Sequence, residues 1–276
     1  MRGLIVKSIS GDYTVKTGNQ MIVCKPIGLF RHKGITPKVG DIVTIDNNKI
    51  ADIDERVNDL IRPFVSNVDK VFIMTSIVRP EINTNLLDRI IAMAEYENLK
   101  IILVFTKADL ANDDKYKEIT EYYRNLGYPV YYLPHEIDKI IDEINDNVCV
   151  VAGQSGVGKS TMINKFNPNF KIKTDEISEA LNRGKHTTRH IELLEVGTGY
   201  VADTPGFGTL DLTMDIQSLS QVFVEFFETK CKFNPCFHIS EPGCKVKEKI
   251  NKNEILKSRY DNYLLFIEEI KKNKKY

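Results

Sequence analysis

A glycine-rich octapeptide in the middle of the chain restricts the fold more than any other feature. Residues 153–160 read Gly-Gln-Ser-Gly-Val-Gly-Lys-Ser, the pattern of a phosphate-binding loop. An apolar segment over 148–152 precedes it, and a helical pattern with Met162, Ile163 and Phe166 follows. The glycines let backbone amides surround phosphate groups, and the amino terminus of a helix favours negative charge. The sequence therefore predicts a strand–loop–helix unit that binds a nucleotide.

The residues of this loop have separate predicted roles. We expect Lys159 to reach the β- and γ-phosphates and the Ser160 hydroxyl to ligate Mg²⁺. The predicted phosphate-binding residues are Gly153, Gln154, Ser155, Gly156, Val157, Gly158, Lys159, Ser160 and Thr161. The loop by itself does not choose between adenine and guanine.

A second motif indicates guanine. Residues 106–109, Thr-Lys-Ala-Asp, follow a predicted strand over 101–105 and resemble the Asn-Lys-x-Asp element of GTPases. The carboxylate of Asp109 would accept hydrogen bonds from guanine N1 and the 2-amino group, and the stem of Lys107 would stack along the base. Adenine lacks that pair of donors, so polar groups would stay unpaired in the wrong complex. Because Thr106 replaces the asparagine, we expect a weaker bridge to the phosphate loop.

Two further segments resemble GTPase switches. Residues 203–206, Asp-Thr-Pro-Gly, have the Asp-x-x-Gly pattern, in which Asp203 would hold Mg²⁺ through water and the Gly206 amide would sense the γ-phosphate. The loop over 183–189 offers Thr187 and Thr188, either of which could complete the Mg²⁺ shell. Many GTPases orient the attacking water with a glutamine directly after Asp-x-x-Gly. Phe207 occupies that position and cannot do so.

The amino-terminal residues follow a different pattern. Alternating apolar residues separated by turn residues predict five short strands, at 4–8, 13–16, 20–24, 41–45 and 50–53. Five strands in about sixty residues fit a small barrel of the oligonucleotide-binding (OB) type. Its long loop over 26–40 carries Arg31, His32, Lys33 and Lys38. That loop is either an RNA contact or a solvated loop without a partner.

A cluster of cysteines near the carboxyl terminus predicts a metal site. Cys231, Cys236, His238 and Cys244 supply three thiolates and one imidazole within fourteen residues. This is the ligand set of a closed, structural tetrahedral zinc site, with no position left for water. The alternative is three unrelated cysteines and a surface histidine. Cys24 and Cys149 lie in apolar strand-like stretches and are expected to be buried.

The order of the motifs identifies a family. The guanine element precedes the phosphate loop, which precedes the switches, whereas in ordinary GTPases the phosphate loop comes first. The chain therefore resembles a circularly permuted GTPase, and with the barrel and the Cys/His cluster it resembles the ribosome small-subunit-dependent GTPases over its whole length. The implied fold is multidomain α/β. It comprises an OB-type barrel over 1–63, a permuted GTPase domain over 64–215 and a mainly helical zinc-binding domain over 216–276.

The resemblance also implies an activity. A member would bind the small ribosomal subunit, contact its rRNA through the barrel and the zinc domain, and hydrolyse GTP to GDP during late subunit maturation, stimulated by the subunit. The residues expected to act in hydrolysis are His186, Lys159 and Thr188. His186 would position water in place of the missing glutamine, although it could instead contact RNA or solvent. From charge we add possible RNA contacts at Arg31, Lys33, Lys38, Lys245, Lys247 and Lys249.

Composition limits the alternatives. The net charge is zero, with +3 over residues 1–63, −5 over 64–207 and +2 over 208–276, so the chain is not basic throughout. No apolar run reaches the roughly 18 residues of a membrane span, and charge appears too early at the amino terminus for a secretory signal. We expect a cytoplasmic monomer with no membrane partner.

Two other functions remain as alternatives. An ATP-dependent kinase would leave Asp109 unexplained, and a non-catalytic GTP-switched rRNA-binding module is the stronger alternative.

Overall fold

The computed structural model describes residues 1–32, 34–61, 63–112, 114–166, 191–203 and 212–273, without the side chains of Arg31 and Asp203. These residues form two units. The first contains the described parts of Met1–Phe72, Ile137–Val151 and Gly158–Phe207. The second contains the described parts of Ile73–Glu136, Ala152–Val157 and Gly208–Tyr276. Across the described ranges, every helix is too short or too polar to cross a membrane.

The amino-terminal strands close into the predicted barrel. The elements are β1 (Arg2–Ile9), β2 (Asp12–Thr17), β3 (Gln20–Pro26), α1 (Leu29–His32), β4 (Ile42–Asp46) and β5 (Lys49–Ile53). The strands follow the order β2-β3-β5-β4-β1, and a further pairing of β1 with β2 closes the ring. Ile5, Val15 and Val43 are fully buried inside it, because alternate residues of each strand face the core. The five predicted strands are confirmed.

Strands and helices then alternate, as the sequence predicts from an apolar run over 70–76, a helical pattern over 83–98 and an apolar run over 101–105. They are β6 (Lys70–Ser76), α2 (Thr84–Tyr96), β7 (Lys100–Thr106), α3 (Lys115–Asn125), β8 (Val130–Leu133), α4 (Ile137–Ile144), β9 (Val148–Gly153), α5 (Lys159–Phe166), β10 (Ile191–Val196) and β11 (Gly199–Asp203). Helix α2 begins where the Asn83 side chain accepts a hydrogen bond from the Leu86 amide at 3.0 Å.

In the first unit, the barrel and the α/β strands share one hydrogen-bonded sheet. Strand β10 pairs antiparallel with β11, which runs parallel to β9. On its other side β10 pairs antiparallel with β1, with Lys7 opposite Glu192 and Ser8 opposite Ile191. The Lys7 ammonium and the Glu192 carboxylate form an ion pair of 3.0 Å beside this ladder. Strand β10 was not predicted from the sequence.

In the second unit, β6, β7 and β8 lie side by side, and four helices follow. These are α6 (Ile216–Val222), α7 (Val224–Phe227), α8 (Lys245–Asn251) and α9 (Lys257–Asn273). Leu219, Phe223 and Phe266 are fully buried in their core. The amphipathic pattern near 249–270 predicts one closing helix, and that prediction is wrong. The chain breaks after α8, where Asn253 adopts a left-handed conformation at φ 58° that ends a helix.

A buried ionic network joins helices of the second unit. The Arg259 guanidinium of α9, 1% exposed, donates to Asp88 of α2 at 2.7 Å and to Glu225 of α7 at 2.6 Å. The Tyr123 hydroxyl of α3 also donates to Asp88. Asn262 adds a further bond to Asp88 at 2.7 Å. Three helices that are far apart in sequence therefore share one buried cation.

Candidate nucleotide site and metal centre

The phosphate loop connects β9 to α5, as the sequence predicts. Gly153 ends the strand so close to β6 that a Cβ atom there would lie 2.2 Å from the Met74 carbonyl oxygen. Gly158 has φ +99°, a backbone conformation that side chains disfavour. Both positions therefore require glycine. The Met162 amide then donates to the Gly158 carbonyl at 2.9 Å, which starts the helix.

Lys159 and Ser160 begin α5 and are largely shielded from solvent. Ser160 is 7% exposed. Burial lowers the pKa of the Lys159 ammonium to about 8, because removal of water disfavours its charge. An anion beside Lys159 would reverse that effect. A phosphate group is the ligand that this position favours.

The guanine element is bonded to the phosphate loop within the second unit. The Thr106 hydroxyl, at the end of β7, donates to the Val157 carbonyl at 2.9 Å. Lys107 has a left-handed backbone, with φ 60°. Its ammonium donates to the Gly156 carbonyl at 3.2 Å and to the Arg79 carbonyl. The threonine hydroxyl therefore does bridge to the phosphate loop, and the expectation that this bridge is weaker than that of an asparagine stays a prediction.

Asp109 stands in a single 3₁₀ turn, Ala108–Leu110, directly after Lys107. Its carboxylate is exposed, as a base-reading group must be before its ligand binds. Five of the predicted switch residues lie outside the described residues: His186, Thr187, Thr188, Gly206 and Phe207. For Asp203 only the backbone is described, at the end of β11.

The predicted metal ligands meet in the second unit. The ligand atoms of Cys231, Cys236, His238 and Cys244 all lie within 4.8 Å of one another. The imidazole Nδ1 is 3.6, 3.4 and 3.4 Å from the sulfurs of Cys231, Cys236 and Cys244. The Cys231 and Cys244 sulfurs are 4.0 Å apart. A tetrahedral Zn²⁺ would separate its ligands by about 3.8 Å between sulfurs and about 3.6 Å between sulfur and nitrogen. The cluster therefore fits such an ion.

The electrostatics of this cluster agree with a bound cation. Burial raises the pKa of the Cys236 thiol to about 12 and also raises that of Cys244. Burial lowers the pKa of the His238 imidazole. The protein alone therefore favours neutral ligands, and a cation would supply the charge that stabilises thiolates.

Side chains that sequence reasoning missed hold the metal loop in place. The Tyr260 hydroxyl donates to the His238 carbonyl at 2.6 Å, and the Tyr263 hydroxyl donates to the Phe237 carbonyl at 2.8 Å. The Glu241 carboxylate accepts from the amides of Phe237 and Ile239, each at 2.7 Å. Such contacts orient the ligands of a metal. In the sequence, the available signal of this support was Glu241, which lies between the last two predicted ligands.

One of the suggested RNA contacts does not fit the structure. Lys38 is 6% exposed, and its ammonium donates to the Leu60 carbonyl at 3.0 Å and pairs with Asp59. It stabilises the barrel, so its assignment as an RNA contact was wrong. The Lys247 ammonium is likewise bonded to the Ile239 carbonyl of the metal loop. Lys245 is exposed and pairs with Glu248 at 2.7 Å. Lys33 lies beyond the described residues.

Together, these features define a phosphate-loop GTPase in which the base-recognition element precedes the phosphate loop along the chain. Comparison with protein-family models agrees with that class. The RsgA N-terminal domain matches residues 2–52, and the RsgA GTPase matches residues 53–213. The chain belongs to the RsgA GTPase family.

Similar proteins extend over the whole chain. A protein named small ribosomal subunit biogenesis GTPase RsgA 2, from Oceanobacillus iheyensis, is 44% identical over 99% of this chain and 98% of its own length. The RsgA of Clostridium perfringens is 42% identical, with 98% of each chain covered. Among solved structures, YloQ, described as a circularly permuted GTPase, matches with a TM-score of 0.83 at 36% identity, covering 99% of this chain and 95% of its own. YjeQ from Thermotoga maritima matches with a TM-score of 0.84 at 34% identity, covering 98% of both chains. The permuted fold is confirmed by these likenesses.

Proposed function

We propose that this chain binds the small ribosomal subunit and hydrolyses GTP to GDP and phosphate during late subunit maturation, stimulated by the subunit. The proposal that the chain binds GTP rests on two hydrogen bonds, from Thr106 and from Lys107 to the phosphate loop. They hold the base-reading turn beside the residues that would bind phosphate. The names of the relatives support the ribosomal part.

The proposed roles follow the chemistry of each residue. The amides of 153–161 and the Lys159 ammonium bind phosphate, and Asp109 reads guanine. Mg²⁺, which the GTPase family implies, supplies a positive charge that offsets the phosphate charge. Its ligands are Ser160, Thr187 or Thr188, and Asp203. His186 positions the attacking water, because Phe207 cannot.

The Cys/His cluster is proposed to hold one structural Zn²⁺. Three sulfurs and one imidazole nitrogen favour zinc over the hard cations Mg²⁺ and Ca²⁺. Contacts to rRNA are assigned to the barrel (1–63) and to the zinc domain (216–276), which precede and follow the GTPase domain (64–215) in the sequence. The chain acts as a cytoplasmic monomer.

The test is GTP hydrolysis with and without purified small ribosomal subunits, with ATP as the control nucleotide. We expect strong stimulation that is specific to GTP. His186→Ala should lose the stimulated rate while GTP binding persists, because water positioning lowers the barrier without holding the nucleotide. If subunits bind and GTP binds but turnover is not stimulated, the chain is a nucleotide-switched RNA-binding module instead.

A further inference from the structure

An open cavity of about 460 Å³ lies beside the metal cluster in the second unit. Phe226, whose ring lies 5.6 Å from the His238 ring, forms its floor. Helix α6 contributes Gln217, Ser220 and Gln221 to its lining, and the segment 226–238 contributes the rest, including the cluster residues Cys231, Cys236 and His238. Cavities of roughly 300–1,000 Å³ are the usual size for small organic ligands. One nucleotide therefore fits this cavity by volume.

Two phenylalanines line the cavity and remain in contact with water. Phe227 is 67% exposed and Phe233 is 43% exposed, whereas Phe223, Phe226 and Phe266 of the same unit are buried. Neither exposed ring belongs to the buried core of the helices. Exposed aromatic rings at a cavity are suited to stacking against the flat face of a base, a contact that any base can make.

Amide side chains line the same cavity. Gln217 and Gln221 are exposed and lie one turn apart on α6, so they occupy the same face of the helix. Each amide carries both a donor and an acceptor. Base edges present donors and acceptors in neighbouring positions, and unpaired bases expose those edges. The lining contributed by α6 is therefore suited to hydrogen bonding with a base.

The charge around the cavity favours a polyanion. Residues 227–252 contain six lysines and three glutamates, a net charge of +3 that becomes +2 when three thiolates hold one Zn²⁺. Lys230 lines the cavity, and the Lys232 ammonium lies 5.9 Å from the centre of the Phe233 ring. The residues lining the cavity include no carboxylate. Of the three glutamates, Glu241 is already bonded to backbone amides.

We propose that this cavity binds one unpaired nucleotide of single-stranded RNA. The base stacks on Phe227 and Phe233, the glutamines contact its edge, and Lys230 and Lys232 contact the flanking phosphates. The inference rests on the proposed function, since the small subunit supplies the RNA. It adds the requirement that the RNA offers an unpaired base, because a paired base cannot enter the cavity.

The test uses the full chain with its metal bound and a short fluorescent single-stranded RNA, with a fully paired RNA duplex of equal length for comparison. Binding is measured by anisotropy over a range of salt concentrations. Phe227→Ala combined with Phe233→Ala should weaken binding of the single strand about tenfold or more, and leave duplex binding unchanged. The salt dependence should persist, because the phosphate contacts remain. Lys230→Ala should instead reduce the salt dependence.

The matched control is Leu265→Ala, which removes an equally exposed apolar side chain, 54% exposed, from α9. It should bind RNA as the unaltered chain does. If the double phenylalanine variant binds single-stranded RNA normally, the proposal is wrong. Normal RNA binding together with reduced binding to intact subunits would assign the cavity to a protein segment instead. Subunit-stimulated GTP hydrolysis is measured separately. If stimulation is present but the double variant binds single-stranded RNA normally, this inference fails and the proposed function stands. If stimulation is absent, the proposed function fails.

Discussion

Lys159 shows how one residue can link nucleotide binding to proton binding. With its pKa lowered to about 8 by burial, the ammonium is fully charged well below pH 8 and half neutral at pH 8. Phosphate groups favour the charged form, so the pKa must rise when GTP binds. Binding is therefore accompanied by proton uptake, and the affinity for GTP should fall as the pH rises through 8.

We expect GTP binding to take up about half a proton at pH 8 and about a tenth at pH 7, from a pKa near 8. Titration calorimetry in two buffers of different ionisation enthalpy measures this number directly. Lys159→Arg is the control, because a guanidinium stays charged throughout this range and should show no uptake. Absence of proton uptake at pH 8 in the unaltered chain would contradict the assignment of Lys159, with its lowered pKa, as a phosphate-binding residue.

Single residues also show where reasoning from the sequence succeeds and where it does not. Short-range rules were sufficient for the glycines of the phosphate loop and for the four metal ligands, because spacing alone brings those groups together. Lys38 could not be assigned in this way. Its partners, Leu60 and Asp59, become neighbours only after the barrel closes. Thr106 also required the structure, since its bond depends on where Val157 lies.

At the scale of helices, removal of the Arg259 cation should strongly destabilise the second unit. Arg259→Ala would leave the carboxylates of Asp88 and Glu225 buried without their cation. Loss of one partner from a buried ion pair costs about 3–5 kcal/mol. We expect a decrease of that size in the free energy of unfolding, measured by urea denaturation.

Lys257→Ala is the matched control on the same helix. Lys257 pairs with Asp261 at 2.7 Å, but its side chain is 79% exposed, and surface pairs contribute about 1 kcal/mol at most. Arg259→Lys should give an intermediate loss, because an ammonium cannot bridge both carboxylates with the same geometry. Equal effects of the two alanine variants would show that the network is not stabilising.

Whole elements were predictable where their pattern was strong. The barrel strands alternate, β6 is a continuous apolar run and α2 has an apolar helical period, and the structure confirms all of them. Strand β10 was missed because its alternation is short and it directly follows a charged segment. The break between α8 and α9 was missed because it depends on Asn253, whose left-handed conformation no apolar period reveals.

At the scale of the molecule, a metal ion bound at the Cys/His cluster would stabilise the fold. Its loop is bonded to α9 through Tyr260 and Tyr263, and α9 carries Arg259. Loss of the ion would leave closely spaced thiols with no common ligand, so the folded chain loses the free energy of metal binding.

Cys236→Ser should therefore reduce the metal content from one ion per chain to none and lower the melting temperature. Elemental analysis and thermal unfolding measure the two effects. Cys24→Ala is the control, because Cys24 is buried in the barrel of the first unit, is not one of the four cluster residues and should leave the metal content at one. Full metal content in the Cys236 variant would mean that other ligands hold the ion.

The Arg259–Asp88 bond has a consequence for the synthesis of the chain. Its two residues are 171 positions apart. At translation rates of about 5–20 residues per second, Asp88 leaves the peptidyl transferase centre roughly 10–30 s before its partner does. During that time its carboxylate cannot be buried at low cost, since the cation is missing. The second unit therefore cannot complete its core until α9 has been made. The nascent chain depends on water, or on a chaperone, to accommodate that charge.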